Sequence, residues 1–249
     1  MSTRTSMSQG DANLGNWRNC TSARQLPIGT SDTRPTSKLC NYCPMPELAR
    51  IWEDASCEVH KVVVGPMDNN VYILRCRRSG ESLLVDAADE HDLLLKTCRT
   101  LQVSRVIETH GHWDHIQAVP ALRDAGISVS VTPEDASMLP SYDELLEDDT
   151  VIEVGQLRVH TTATPGHTRG SMCFSVENTP LLFSGDTLFP GGPGNTSFEG
   201  ADFATIIRSV EERLFARFSP ETLVLPGHGA STTIGAESPH LDEWIERGW

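Results

Sequence analysis

A chain of 249 residues with 38% apolar and 22% charged content is long enough for one large buried domain or two small ones. Twenty lysines and arginines against 34 acids leave a formal charge of −14, a surface that repels nucleic acid and anionic membranes and argues against RNA processing. No apolar run reaches the eighteen or so residues of a membrane span and the first residues lack a signal peptide's apolar core, so a small-molecule substrate and a cytoplasmic location are expected.

Residues 1–56 are rich in Ser, Thr, Asn, Arg and Pro and show no sustained period of 2 or 3.6. They are expected to form a disordered or loosely attached extension, with the folded domain spanning 57–249. Within the extension, Pro46 to Asp54 reads as a short helix, and Met45 as a plausible native start. The seven cysteines (Cys20, Cys40, Cys43, Cys57, Cys76, Cys98 and Cys173) are odd in number and irregular in spacing, which suits free thiols better than a disulfide framework. Cys40-x-x-Cys43 has a zinc-like spacing, but no second pair follows it.

From Glu58 the pattern becomes regular. His60–Val64 and Val71–Arg75 read as strands around a turn, and Ser82–Asp86 as a third strand ending in a carboxylate. Glu90–Leu101 has helical spacing, with Leu93, Leu94, Leu95 and Cys98 toward the core. Ser104–Glu108 is a short buried strand, and Ile116–Leu122 a helix with Pro120 in its first turns. Ile127–Val131 is a strand, Pro133–Leu139 a helix started by its proline, and Leu145–Asp149 an acidic, solvated loop. Thr150–Val154 and Leu157–Thr162 make a hairpin about Gly155, and Ser171–Val176 and Leu181–Ser184 are strands. Phe203–Phe215 is a helix, Glu221–Leu225 a strand and Leu241–Glu246 a closing helix. Strands then helices, twice over, predict two sheets packed face to face with helices outside.

Between Ser104–Glu108 and Ile116 stands Thr109-His110-Gly111-His112-Trp113-Asp114-His115, on the turn where a strand hands over to a helix. Residues i and i+2 of a near-extended turn point the same way, so His110 and His112 can present both imidazoles to one metal ion. Asp114 and His115 then swing to another side, where a second ion about 3.5–4 Å away would find them. One histidine on an apolar face is usually a packing residue; three with an aspartate at this spacing have the makings of a metal site.

His110-x-His112-x-Asp114-His115 resembles the signature of the metallo-β-lactamase-fold hydrolases. Pro165-Gly166-His167-Thr168, Ser184-Gly185-Asp186-Thr187 and Pro226-Gly227-His228-Gly229 are similar to that superfamily's later motifs, in the same order. The chain looks closest to short bacterial glyoxalase-II-like proteins. The resemblance implies an αββα sandwich of two mixed β-sheets holding two divalent metal ions between its halves. Zinc is the first expectation, and iron or manganese suits the same donors. Carried over by position, His110, His112 and His167 would bind one ion, Asp114, His115 and His228 the other, and Asp186 would bridge them. A water held between the ions would be acidified to a pKa of about 7, and the resulting hydroxide would attack the carbonyl of a thioester, ester or lactone. Asp114 and Asp186 are the expected catalytic carboxylates, with either Asp114 or a metal-bound water handling the proton of the leaving group.

Asp86 reads either as an acceptor that orients a ligand histidine or as a strand-terminal cap, and Trp113 either as part of the pocket mouth or as packing. Cys173 reads as a core residue, and His60, His91, His160 and His240 as surface or packing residues. Asn195 and Ser197 stand where glyoxalase-II-like relatives usually carry a basic residue and where sulfur-dioxygenase relatives have an arginine and an aspartate. Together with the short tail after His228, that argues against a glutathione thioester and leaves other thiols open. The alternatives of the same fold are a mononuclear-iron persulfide dioxygenase, a β-lactam hydrolase and a non-catalytic metal-binding module.

Overall fold

A computed structural model describes residues 48–248. The first sheet opens with three antiparallel pairings among β1 (Ala49–Glu53), β2 (Cys57–Val64), β3 (Asn69–Cys76) and β4 (Ser82–Val85). Helix α1 (His91–Leu101) then crosses over to β5 (Val103–Ile107), which lies parallel to β4. Two short helices, α2 (Trp113–Ile116) and α3 (Val119–Asp124), lead to β6 (Ser128–Val131), and β7 (Glu144–Leu145) closes the sheet, both parallel to their neighbours.

The second sheet starts with the hairpin β8 (Val151–Val154) and β9 (Leu157–Ala163), followed by β10 (Met172–Val176) and β11 (Leu181–Gly185), all antiparallel. A small ribbon, β12 (Leu188–Phe189) with β13 (Gly192–Pro193), stands apart. Helix α4 (Phe203–Arg208) continues through a wide-wound stretch, Ser209–Phe215. Strand β14 (Leu223–Pro226) runs parallel to β11, β15 (Thr232–Thr233) edges the sheet, and α5 (Ile234–Glu237) and α6 (Leu241–Arg247) follow.

Side-chain alternation along the strands makes the layers. Tyr72, Leu74, Leu83 and Val85 meet Phe174, Val176, Leu181 and Phe183 between the sheets. Their neighbours Val71, Ile73, Leu84 and Val106 face α1 and α3 instead, packing on Leu94, Cys98 and Leu122. On the far side Cys173, Leu182 and Val224 pack under Val210, Leu214 and Trp244. Two mixed sheets between outer helices are the αββα sandwich that the motif resemblance implied.

Several local expectations change. The helix expected over Pro46–Asp54 is the edge strand β1, because pairing with β2 and the Arg50–Glu58 contact at 3.6 Å override local propensity. Its tie to the first sheet also puts residues 49–53 of the expected extension inside the folded unit. The helix over Ile116–Leu122 is two helices. Pro120 sits in the first turn of α3, and the amides of Gln117 and Ala118 bond to the carbonyls of Ala88 and Ala87 instead of continuing α2. Pro133–Leu139 holds only the turn Ala136–Met138, since Asp135 is committed to distant partners described below. The acidic segment 145–149 is partly structural: Leu146 is buried, and Asp149 accepts from Arg217 Nη1 at 3.0 Å. Cys40-x-x-Cys43 and the start suggested at Met45 lie outside the described residues. Cys57, Cys76, Cys98 and Cys173 are buried free thiols. No helix among the described residues is long and apolar enough to cross a membrane.

Candidate metal centre

Seven side chains converge where the two sheets meet at one end. His110 and His112 lie on the turn after β5, and Asp114 and His115 on α2. His167 comes from the loop between β9 and β10, Asp186 directly follows β11, and His228 follows β14. The two halves are stitched together there. Met172 N donates to Thr109 O at 2.8 Å, Asn70 N to Gly227 O at 2.7 Å, and Tyr72 Oη to Pro226 O at 2.8 Å.

The donor atoms form three groups that could each hold an ion: His110, His112 and His167; His110, His115 and Asp186; and Asp114, His115 and His228. The outer two are the sets carried over from the motifs. Asp186 lies between them, its Oδ2 3.5 Å from both His167 Nε2 and His228 Nε2 and its Oδ1 3.6 Å from His115 Nε2.

Hydrogen bonds behind the rings set which nitrogen faces inward. His115 Nδ1 meets Asp86 Oδ2 at 2.9 Å, His167 Nδ1 meets Asn195 O at 2.7 Å, and His228 Nδ1 meets Met67 O at 3.0 Å. Each acceptor requires a proton on Nδ1 and leaves the Nε2 lone pair pointing into the centre. His110 follows the same rule through Thr109, whose hydroxyl donates to Asp86 Oδ2 at 2.9 Å and so receives from His110 Nδ1 at 3.1 Å. His112 instead turns Nδ1 inward, 3.1 Å from His110 Nε2.

The donor set fits divalent ions. His115 Nε2 and His228 Nε2 stand 3.2 Å apart, a spacing that a shared proton or a cation must relieve. His167 Nε2 and Asp186 Oδ1 are buried with no hydrogen-bond partner. Five imidazoles and two carboxylates are a donor set that accepts zinc, iron or manganese.

Glycine makes the approach close. Gly166 has φ +139° and a side chain there would strike the backbone of Ile206, while one at Gly227 would meet Asp186 Oδ1 and come within 2.7 Å of His115 Cε1.

The residues flagged around the motif separate clearly. Asp86 is the orienting acceptor for His115, bonded also by Thr109 N at 2.7 Å, and holds a left-handed φ of 63°. Trp113 is 59% exposed and lines the mouth of the cleft. Cys173 is buried, and burial pushes its thiol up to about 11. His60, His91, His160 and His240 each pair with a nearby acid away from the centre.

Two residues that the sequence did not flag support the ligands. Asn69 Nδ2 donates to Asp114 Oδ2 at 3.1 Å. Buried Asp135 accepts from Gly111 N at 2.9 Å, Thr168 Oγ1 at 2.7 Å and Gly170 N at 2.9 Å, tying the turn of His110 and His112 to the loop of His167. Its one visible signal was an acid just past a strand, the place that Asp86 also takes.

Electrostatics divide the cluster. Burial, helped by the neighbouring imidazoles, drives His110 well below the usual histidine range and His112 down to about 4, so both are neutral donors. Burial also opposes charge on His228, but hydrogen bonds from its ring to Asp114 and Asp186 outweigh it and raise the group to about 10. The metal-free protein therefore carries a proton on His228 at pH 7 that a metal must displace, and metal affinity falls as pH drops. Zinc titrated at pH 7 in buffers of different ionisation enthalpy is expected to release protons on binding, about one of them from His228, so that His228→Gln should release fewer. Equal release from both proteins would exclude His228 as its source.

The pattern of the metallo-beta-lactamase superfamily matches residues 64–228. The chain belongs to that superfamily. It is 34% identical over 201 residues to an uncharacterized protein of Mycobacterium leprae, covering 70% of this chain and 92% of that one. A probable metallo-hydrolase of Bacillus subtilis is 29% identical over 206 residues, covering 71% and 92% of the two chains. A hydroxyacylglutathione hydrolase of a Polaromonas species is 35% identical over 162 residues, covering 63% of this chain and 60% of that one. Among solved structures, BLEG-1, titled a B3 metallo-beta-lactamase, matches with a TM-score of 0.67 at 27% identity, over 73% of this chain and 97% of the other. TTHA1623 in a di-iron-bound form matches with a TM-score of 0.64 at 29% identity, over 72% and 96%. The protein is a metal-dependent hydrolase of this fold, and its clustered histidines and aspartates are a donor set suited to two metal ions.

Proposed function

We propose that the protein hydrolyses a thioester or a related ester or lactone at a two-metal centre in which His110, His112 and His167 hold one ion, Asp114, His115 and His228 the other, and Asp186 both. The observation that carries the reading is the placement of Asp186 between the two histidine sets, with a buried oxygen left unpartnered. The thioester is supported by the likeness to hydroxyacylglutathione hydrolases. When bound, two divalent ions supply a water acidified from a pKa of 15.7 to about 7 and a Lewis acid for the carbonyl.

The chain's own residues do the rest. Asp86, Asn195 O and Met67 O fix ring orientation, so the donors need no rearrangement. Hydrogen bonds from His228 and Asn69 hold Asp114 below the usual carboxylate range against the opposing effect of burial, so it is ionised, the form that binds a metal ion. No serine or cysteine nucleophile is required; Cys173 is sealed in the core. The cleft above the centre has a volume of about 660 Å³, the size of a small-molecule site. The substrate is a small molecule, and the acidic surface disfavours nucleic acid and anionic membranes as partners.

Metal analysis of protein purified without added metal, paired with a panel of thioesters, lactones and a β-lactam, tests the reading. Two ions per chain and thioester turnover rising with pH through a limb near neutrality are expected. Preferred turnover of the β-lactam, or one iron per chain with oxygen uptake on a persulfide, would replace it.

A further inference from the structure

The wall of the cleft differs from its floor. The floor is the histidines with Asp114 and Asp186, and the wall is Met67, Trp113, Phe189, Pro190, Pro193 and Phe198. Three of these large apolar side chains stand unusually open: Met67 is 53% exposed, Trp113 59% and Phe198 52%. They come from three separate segments and surround one mouth, an arrangement that ordinary scatter of surface apolar residues does not require.

Phe198 brings the apolar wall up to the reacting end. Its ring meets His112 edge-on with centroids 5.3 Å apart, and His167 at 6.1 Å. A group beside the ligands His112 and His167 therefore has this ring within reach.

Charge points the same way. Among the described residues, no lysine or arginine lines the cleft. Lys61 reaches the neighbouring loop, where its Nζ donates to Gly229 O at 3.0 Å, and is not part of the lining. Asn195, exposed at the rim, has its side-chain oxygen engaged by Ser197 N at 2.8 Å. Arg247, whose Nη2 donates to Gly191 O at 3.4 Å, likewise lies outside the lining, so a carboxylate brought to this wall would lose water and meet no lysine or arginine of the lining, which is costly. The chain's formal charge of −14 adds long-range repulsion.

We propose that the cleft selects an uncharged, apolar thioester or ester, with an aromatic or branched group seated between Phe198 and Trp113, and rejects glutathione conjugates, whose peptide carries two carboxylates. This rests on the hydrolase reading above and narrows its substrate class.

Two thioethers that cannot be hydrolysed separate wall from chemistry: S-benzyl-N-acetylcysteamine, which is uncharged, and S-benzylglutathione. Calorimetry on the full-length, metal-loaded protein is expected to show the uncharged probe binding at least about tenfold tighter. Phe198→Ser should weaken that probe about tenfold, and Asn195→Lys should close the gap by strengthening the glutathione probe. Equal or tighter binding of S-benzylglutathione to the unaltered protein, or no saturable binding of the uncharged probe, overturns the assignment. The matching thioesters are assayed for turnover in parallel. The binding preference without turnover of any thioester would uphold the cleft assignment and remove the hydrolytic reading. Equal kcat/KM for both thioesters would keep hydrolysis and overturn the preference.

Discussion

His110→Ala is expected to cost at least about 100-fold in metal affinity and nearly all hydrolysis, while the circular dichroism spectrum stays close to that of the unaltered protein. The second-sphere partners of a metal ligand are typically worth 10–100-fold, so loss of a ligand should exceed that. His110 is central to the cluster. Like His115, it belongs to two of the three donor groups, the one with His112 and His167 and the one with His115 and Asp186. Its ring stands 4.1 Å from that of His115, 4.7 Å from His112 and 4.9 Å from His167, centroid to centroid. The fold should survive because the flanking backbone is held by other bonds: Thr109 N to Asp86, Gly111 N to Asp135, and Thr109 O from Met172 N. Metal per chain by mass spectrometry, with thioester turnover, checks the expectation. Unchanged metal content and rate would remove His110 from the centre.

The motif histidines were legible because their chemistry is local: a strand, a turn and a helix start put His110, His112, Asp114 and His115 within one short segment. His167, Asp186 and His228 came from resemblance alone, since nothing in their own neighbourhoods says that three distant strand ends converge. The layers were legible too, from strands followed by helices twice over, and Val71–Leu74 and Leu83–Val85 are continuous apolar runs, as strands buried on both faces are. What escaped depends on partners far along the chain. β1 is a strand only because β2 pairs with it, and Asp135 breaks the helix expected around it by bonding to residues 24 to 35 positions away. Most of the apolar mouth escaped for the same reason: Trp113 at the start of α2 reads from the sequence as a mouth or packing residue, but Met67 and Phe198 are single residues in two loops, and only the closed sandwich sets all three around one opening.

Asp186→Asn is expected to lower bound metal from about two ions per chain toward one and to cut turnover by orders of magnitude, with little change in the fold. The side chain keeps its size, so packing is nearly unaltered, and only charge and one acceptor are lost. The loss falls on both sets at once. Oδ2 faces His167 Nε2 and His228 Nε2, while the buried Oδ1, without a hydrogen-bond partner, faces His115 Nε2. Without the carboxylate, only Asp114 on one side is left to offset the repulsion between two dications held a few ångströms apart, and the pair should fail before either single ion does. Asp86→Asn is the matched comparison. Asparagine tolerates the left-handed φ of 63° at that position, so the backbone is not strained by the change. The amide can still accept from Thr109 N, but its NH2 group then faces His115 Nδ1, which must give up its proton and move it to Nε2, the atom that points at the centre. A ligand with the wrong tautomer binds weakly, and a loss of about 10–100-fold in affinity at the ion held by His115 is expected, with turnover recovering as metal is added. Asp186→Asn should not recover, because added metal cannot replace a missing bridge. Metal per chain and thioester turnover across a zinc titration distinguish the two. Two ions and full rate in Asp186→Asn would end the bridging assignment, and recovery of both variants with metal would reduce Asp186 to an ordinary ligand.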